Sequence, residues 1–274
     1  MPSVRDRALS ILELLAQSRG DLQLIEIADR LGIPRGATHR VLADLKQGGY
    51  VRQDRDGGPY GLTAKIVSLG FAFLSKNGVT DVAQPILDTL ARQTGDLVRL
   101  AVIEADRLTW VAKSQGAQAG LRYDPDDGAE VYLPASANGL AWLSCLSDEV
   151  ALELVAKQGF GRDGYGPGAP HTIQELIERI HRTRQRGFAT VSDAYTAGTS
   201  AVAVPIRSPH GVEPVGTLSV AGPSVRMTEV HMEEIAAFLR ASATELSFAS
   251  SGSPLFSAAK AKRARRDETF ARAG

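Results

Sequence analysis

The chain has 274 residues, 43% of them apolar and 23% charged, with 31 basic side chains against 31 acidic ones. That leaves room for two ordinary globular domains, excludes a disordered polyelectrolyte, and contains no uninterrupted apolar run of about 18 residues that would span a bilayer. One cysteine, Cys145, excludes an internal disulfide, and histidines at 39, 171, 181, 210 and 231 supply no close-spaced zinc ligand set.

The zero net charge is unevenly spread. Residues 1–75 carry ten Lys+Arg against eight Asp+Glu, residues 76–257 fifteen against twenty-one, and residues 258–274 six against two. A mildly basic start suits contact with phosphate, whereas the acidic middle argues against nucleic acid lying across it. Residues 251–274, ending in the basic AAKAKRARRDETFARAG, read as a disordered tail. The start, MPSVRDRALS, lacks the charged and apolar regions of a signal peptide, so a cytoplasmic protein is expected.

In chain order, Ala8, Ile11, Leu12, Leu14 and Leu15 form the apolar stripe of a helix over about Val4 to Gln17. Ile25, Ala28 and Leu31 recur at helical spacing; Gly32-Ile33-Pro34 breaks the run, and Val41, Leu42 and Leu45 resume it. Two short helices joined by a tight glycine turn make a helix-turn-helix, whose second member enters the major groove with its N-terminal residues leading. Thr38 shares the inward stripe, which leaves Arg35, Gly36, His39 and Arg40 on the outer face. Arginine there takes guanine O6 and N7 bidentately or clamps phosphate, though Arg40 is also placed to pair with Asp44 along the helix. Lys46 is a phosphate anchor or a solvated lysine. Next, YVRQD, RDGGP and YGL read as strand, turn and strand, a wing that puts Arg52 and Arg55 in reach of the backbone. The DNA-binding domain is thus expected over 1–63, with a linker helix over 64–77 whose apolar residues (Ile66, Val67, Leu69, Phe71, Phe73, Leu74) invite dimerisation.

From residue 78 to 250 helices and strands interleave. A helix runs to Gly95, Leu97 to Ile103 and Leu108 to Lys113 form a hairpin about Ala105-Asp106, and an acidic loop YDPDDGAE leads to a helix opened by LPASA. Helices near 148–157 and 172–186, strands over 188–192, 200–207 and 215–221, and a closing helix over 228–250 complete an α+β domain with an antiparallel sheet. No G-x-S-x-G, P-loop or G-x-G-x-x-G occurs, and GYGPG at 164–168 lacks the strand and helix that would make it a phosphate cradle. No catalytic residue, metal or cofactor is therefore expected, and Cys145 reads as a buried structural thiol.

Three blocks, YGLTAKIVSLG (60–70), LPASANGLA (133–141) and RGFATVSDAYTAGTSAVAVPI (186–206) with VGTLSVAGPSVRMT (215–228), resemble in order and spacing the IclR-type bacterial transcriptional regulators. The resemblance extends over nearly the whole chain to about residue 250. It implies a winged helix, a GAF-like effector domain, and dimers or dimers of dimers on pseudo-palindromic double-stranded operators. It also implies an effector pocket at Tyr123, Ala137, Asn138, Val191, Ala201, Ser219 and Ala221, with Ser136, Asp193, Thr199 and Ser200 as further candidates. The family's lysine-serine-threonine at the start of the recognition helix is Arg35-Gly36-Ala37 here, and the histidine and lysine of its loop block are Pro134 and Leu140. With few polar groups at the matched positions, the pocket suits an aromatic or otherwise apolar metabolite better than a small oxoacid. The alternative is a GAF-type sensor or metabolic enzyme whose winged helix serves protein contact.

Overall fold

The computed structural model describes residues 3–18, 20–76, 79–123, 130–209 and 212–250. It divides into two compact units, 1–76 and 77–274, each with its own core. The expected tail 251–274, the Asn77-Gly78 boundary, residues 124–129 of the acidic loop, and the side chains of Phe71, Phe73, Leu74 and Val82 lie outside the described residues.

In the first unit α1 (Val4–Gln17), α2 (Leu24–Leu31) and α3 (Arg35–Gln47) precede a hairpin of β1 (Val51–Gln53) and β2 (Tyr60–Leu62), after which α4 (Ala64–Lys76) begins. Ser3 caps α1 by accepting from the Asp6 amide while the Asp6 carboxylate accepts from the Ser3 amide. Gly32 ends α2 with φ +61°, a left-handed residue that only glycine adopts cheaply, and the Ile33 amide then returns to the Ala28 carbonyl. This turn sends α3 off at an angle, and Ile11, Leu15, Ile27, Val41, Leu42 and Leu45 close a common core with Val51 and Tyr60.

In the second unit α5 (Val79–Thr94) leads to β3 (Leu97–Glu104) and β4 (Arg107–Gln115), then α6 (Ala137–Leu143), α7 (Asp148–Gln158) and α8 (Ile173–Arg186). The strands β5 (Ala189–Ser192), β6 (Thr199–Arg207) and β7 (Pro214–Pro223) and the long α9 (Glu229–Ser250) follow. The five strands lie in the order β4-β3-β7-β6-β5, every neighbour antiparallel. Strand alternation sends Ala101, Ile103, Val191 and Ala203 toward α6, α7 and α8. The expected elements are all present, with ends moved by a few residues. Ala105 takes φ +55° to close the β3–β4 hairpin, and Thr172 caps α8 rather than belonging to it.

Candidate functional site: a recognition helix and an effector cavity

On α3 the sidedness is sharp. Thr38 is fully buried and donates to the Pro34 carbonyl at 3.3 Å, while Arg35, Gly36, His39, Arg40 and Lys46 are exposed. Neither Arg35 nor Arg40 forms an ion pair with a described carboxylate, so the Arg40–Asp44 pairing does not occur. A Cβ at Gly36 would meet nothing within 4 Å beyond its chain neighbours and the backbone of its own helix. The fold therefore does not require glycine there, and the first turn of α3 presents bare backbone outward. Lys46 reaches Gln53 on the wing at 3.3 Å.

The wing arginines differ. Arg52 bonds Asp54 at 2.6 Å and Asp21 at 2.9 Å, and these carboxylates, Asp54 foremost, raise its already high pKa. It ties the wing to the α1–α2 connection. Gly61 makes this possible, since a Cβ there would run into the Asp21 carboxylate. Arg55, at the exposed turn, has no such tether to a described carboxylate. Behind the recognition helix, Lys65 at the start of α4 donates to the Gly48 carbonyl at 2.6 Å and covers the Tyr50 ring at 4.2 Å, and Thr63 donates to Gly49.

In the second unit a cavity of about 30 Å³ opens between the sheet and the start of α6. Tyr123, Ser136, Ala137, Asn138, Val191, Thr199, Ser200, Ala201, Ser219 and Ala221 all line it. Asp193 does not. It sits at φ +53° in the β5–β6 turn, where its carboxylate accepts from the Gly198 amide at 2.6 Å, so its polarity serves the turn.

Three lining residues were not anticipated: Arg99 on β3, Trp110 on β4, and Tyr195. Arg99 is 3% exposed, the sole charged group among the described lining residues, with its guanidinium 3.5 Å over the Trp110 ring. Tyr195 stands edge-on to Trp110 at 5.5 Å, and burial pushes its hydroxyl pKa up to about 12, which keeps it a neutral donor. The aromatic contacts continue through Tyr165 to the buried Tyr132, stacked at 4.1 Å.

Several predicted polar groups are already engaged. Asn138 donates to the Thr217 hydroxyl at 2.9 Å and accepts from the Trp110 indole at 3.4 Å. Ser136 is the N-cap of α6, accepting from the Gly139 amide at 3.0 Å and donating to the Tyr132 carbonyl at 2.7 Å. Ser200 bonds Ser224 at 2.9 Å. Ser219 donates to the Arg99 carbonyl at the long distance of 3.5 Å and is the most readily redirected. A Cβ at Gly139 would collide with the Leu133 carbonyl, so this glycine lets α6 start against the loop that shapes the cavity. The Arg226–Asp96 pair and the Arg226 bond to the Leu121 carbonyl anchor the chain that leads to Tyr123.

Other chemistry finds little support. Cys145 is half-buried rather than fully buried, donates to the Ala141 carbonyl, and has its thiol pKa raised by burial, which makes it a poor nucleophile. Among the described residues no group of His, Cys, Asp or Glu is arranged to hold a metal ion, and no helix is long and apolar enough to cross a membrane.

Residues 5–55 match the family model for the IclR helix-turn-helix domain, and residues 71–248 match that for the bacterial transcriptional regulator IclR C-terminal. The acetate operon repressor of Salmonella typhimurium is 30% identical over 247 residues, covering 90% of this chain and 89% of its own. The transcriptional repressor IclR of Escherichia coli is 29% identical with the same coverage. Among solved structures, an IclR transcriptional regulator from Alicyclobacillus acidocaldarius superposes with a TM-score of 0.78 at 23% identity, covering 91% of this chain and 99% of its own. An IclR homologue from Microbacterium hydrocarbonoxydans, complexed with 4-hydroxybenzoate, superposes with a TM-score of 0.73 at 21% identity, over 92% of this chain and 100% of its own.

Proposed function

Since the chain belongs to the IclR family of transcriptional regulators and is a ligand-responsive, DNA-binding member of it, we propose that its effector is a small aromatic or partly apolar acid. Its carboxylate would lie beside Arg99 and its ring against Trp110 and Tyr195. The observation that carries this reading is the buried Arg99, one cation in a cavity walled by aromatic rings, small apolar side chains and neutral hydrogen-bonding groups. A buried guanidinium favours an anion strongly, because few water molecules compete for it. The sequence alone pointed to an apolar ligand; Arg99 adds the acid. The relative solved with 4-hydroxybenzoate takes a ligand of this class.

A cavity of about 30 Å³ holds one or two waters and no aromatic ring. Entry therefore demands that the side chains at its rim move, and Tyr123 and Tyr195, both partly exposed, are the ones with room to do so. A ligand that binds only the opened form shifts the population toward it, which is the lever an effector needs.

For the first unit, we assign Arg35, Gly36, His39 and Arg40 to the major groove and Lys46 and Arg55 to phosphates, with Arg52 mainly organising the wing. The exposed Val67 and Leu69 on α4 support assembly as a dimer or dimer of dimers, which a pseudo-palindromic operator would match. The division of labour is DNA contact over 1–63, linkage over 64–77 and effector binding over 78–250, in a cytoplasmic regulator without enzymatic activity. An enzyme or protein-contact role for the winged helix loses ground because Arg35 and Arg40 on α3 have no carboxylate partner among the described residues.

The experiment is a titration of the operator-bound protein with 4-hydroxybenzoate, benzoate and the neutral benzamide. The acids are expected to raise the melting temperature and alter operator binding, and benzamide to do neither. Equal action of benzamide, or an undiminished response to the acids in Arg99→Leu, would rule out the carboxylate contact.

A further inference from the structure

A second concavity, in the second unit, shares no residue with the effector cavity. It encloses about 440 Å³, within the size range of small-molecule sites. Its floor is the end of β6, its walls the C-terminal parts of α8 and α9 and the residue after α6, Ser144.

Three arginines, Arg184, Arg207 and Arg240, converge on it, with Arg179, Arg182 and Arg186 around the adjoining hollow. These are six of the fifteen cations in a stretch, residues 76–257, that carries an excess of acid. Arg184 is matched by Asp148 at 3.0 Å and Arg186 by Glu233 at 2.9 Å. Arg207 and Arg240 are not: among the described residues their bonds go to neutral acceptors, the carbonyls of Val212 and Arg186. Carbonyls orient a guanidinium without cancelling its charge, so two fixed cations face one concavity. Such a cluster is self-repelling until an anion enters.

The surroundings define the rest of the ligand. Ser208 and Thr244 add hydroxyls, and the Phe248 ring, 67% exposed, offers an apolar surface beside them. A peptide adding as a strand is disfavoured. β5 pairs with β6 only as far as Ala203, which leaves the end of β6 as an edge, and Pro205 stands in that edge without an N–H to donate. We propose that this groove is a second ligand site, taking a small organic anion whose phosphate or carboxylate sits between Arg207 and Arg240 and whose apolar body lies on Phe248.

The test is calorimetric titration of the full-length protein with phenyl phosphate and with phenylacetate, inorganic phosphate serving to isolate the contribution of the apolar body. At least one aromatic probe should bind saturably and more tightly than inorganic phosphate, and the tighter of the two identifies the head group. Arg207→Ala/Arg240→Ala should weaken that probe at least about tenfold. Thr244→Glu, at an exposed rim position, should do the same by repulsion while leaving the melting temperature in place, which covers the case of a double variant that fails to fold. Arg99→Leu, which removes any binding of these probes at the effector cavity, should keep a saturable heat from the groove, which separates the two sites. The proposal falls if neither probe binds, if Thr244→Glu binds like the unaltered protein, or if Arg99→Leu alone abolishes the heat.

Discussion

The outer face of α3 and the wall of the effector cavity are both polar surfaces built for recognition, and they are built oppositely. On α3 the side chains that face outward, Arg35, His39 and Arg40, are exposed and take no part in the core that Thr38, Val41, Leu42 and Leu45 hold from the other side. Around the cavity nearly every polar group has a second duty: Asn138 joins β4 to β7, Ser136 caps α6, and Ser200 ties β6 to the turn after β7. Substitution of an exposed reading residue removes an interaction with the partner alone. Substitution at the cavity also removes an element of the fold, so a lost ligand response there does not by itself identify a ligand contact.

The largest expected consequence of this contrast is at Gly139. A methyl group there meets the Leu133 carbonyl at a distance no Cβ tolerates, and backbone must shift to admit it. Gly139→Ala should destabilise the second unit by about 3 kcal/mol or more. Denaturant unfolding followed at Trp110 and Trp142 would report it, and a variant as stable as the parent would mean that the α6 start is pliable and the cavity wall able to give.

Next in size is Asn138→Ala, which strands the Trp110 indole N–H and the Thr217 hydroxyl and should cost about 1–3 kcal/mol of stability. Ser219→Ala, which gives up one long bond, should cost well under that and lower effector affinity instead. If the two variants lost stability equally, the distinction between structural and ligand-facing polar groups inside the cavity would collapse.

The α3 face supplies the matching experiment with the opposite signature. Arg35→Ala and Arg40→Ala should leave the melting temperature unchanged, and at least one should weaken operator binding by about 1–3 kcal/mol with relaxed base preference. Lys46→Ala should weaken all sequences alike and reduce the salt slope by about one. Wild-type affinity and specificity in both arginine variants would displace α3 from the groove.

The same contrast explains what was legible in the sequence. A helix half in water writes its orientation as a 3.6-residue alternation, so the residue pattern by itself assigns Thr38 inward and Arg40 outward. β3 is buried along seven of its eight residues, and with both faces apolar it carries no alternation from which to phase Arg99. Trp110 and Tyr195 were hidden for a related reason, since their meeting depends on register between β4, β3 and β7 and on the turn after β5. Asp193 misled because a polar residue in a matched block reads as a contact, whereas its left-handed backbone shows a turn. The one hint was Arg99 itself, a lone basic residue inside LVRLAVIE, which is costly unless something uses it.

The smallest predicted effect concerns Gly36, where the contrast predicts two changes of opposite sign. Apart from its chain neighbours and the backbone of its own helix, nothing lies within 4 Å of the position its Cβ would take, so Gly36→Ala meets no clash, and it reduces the entropy lost on ordering the first turn of α3. Stability should rise, by about 0.5–1 kcal/mol. The same methyl group would project from the helix end assigned to the major groove, where backbone needs to come close to DNA, so operator affinity should fall several-fold. A thermal melt and an operator titration on the one variant measure both. A gain in stability with unchanged affinity would put Gly36 outside the contact and shift the reading surface toward His39 and Arg40. A loss of stability would contradict the open space around this residue, and with it the view that the DNA face of α3 carries no duty to the fold.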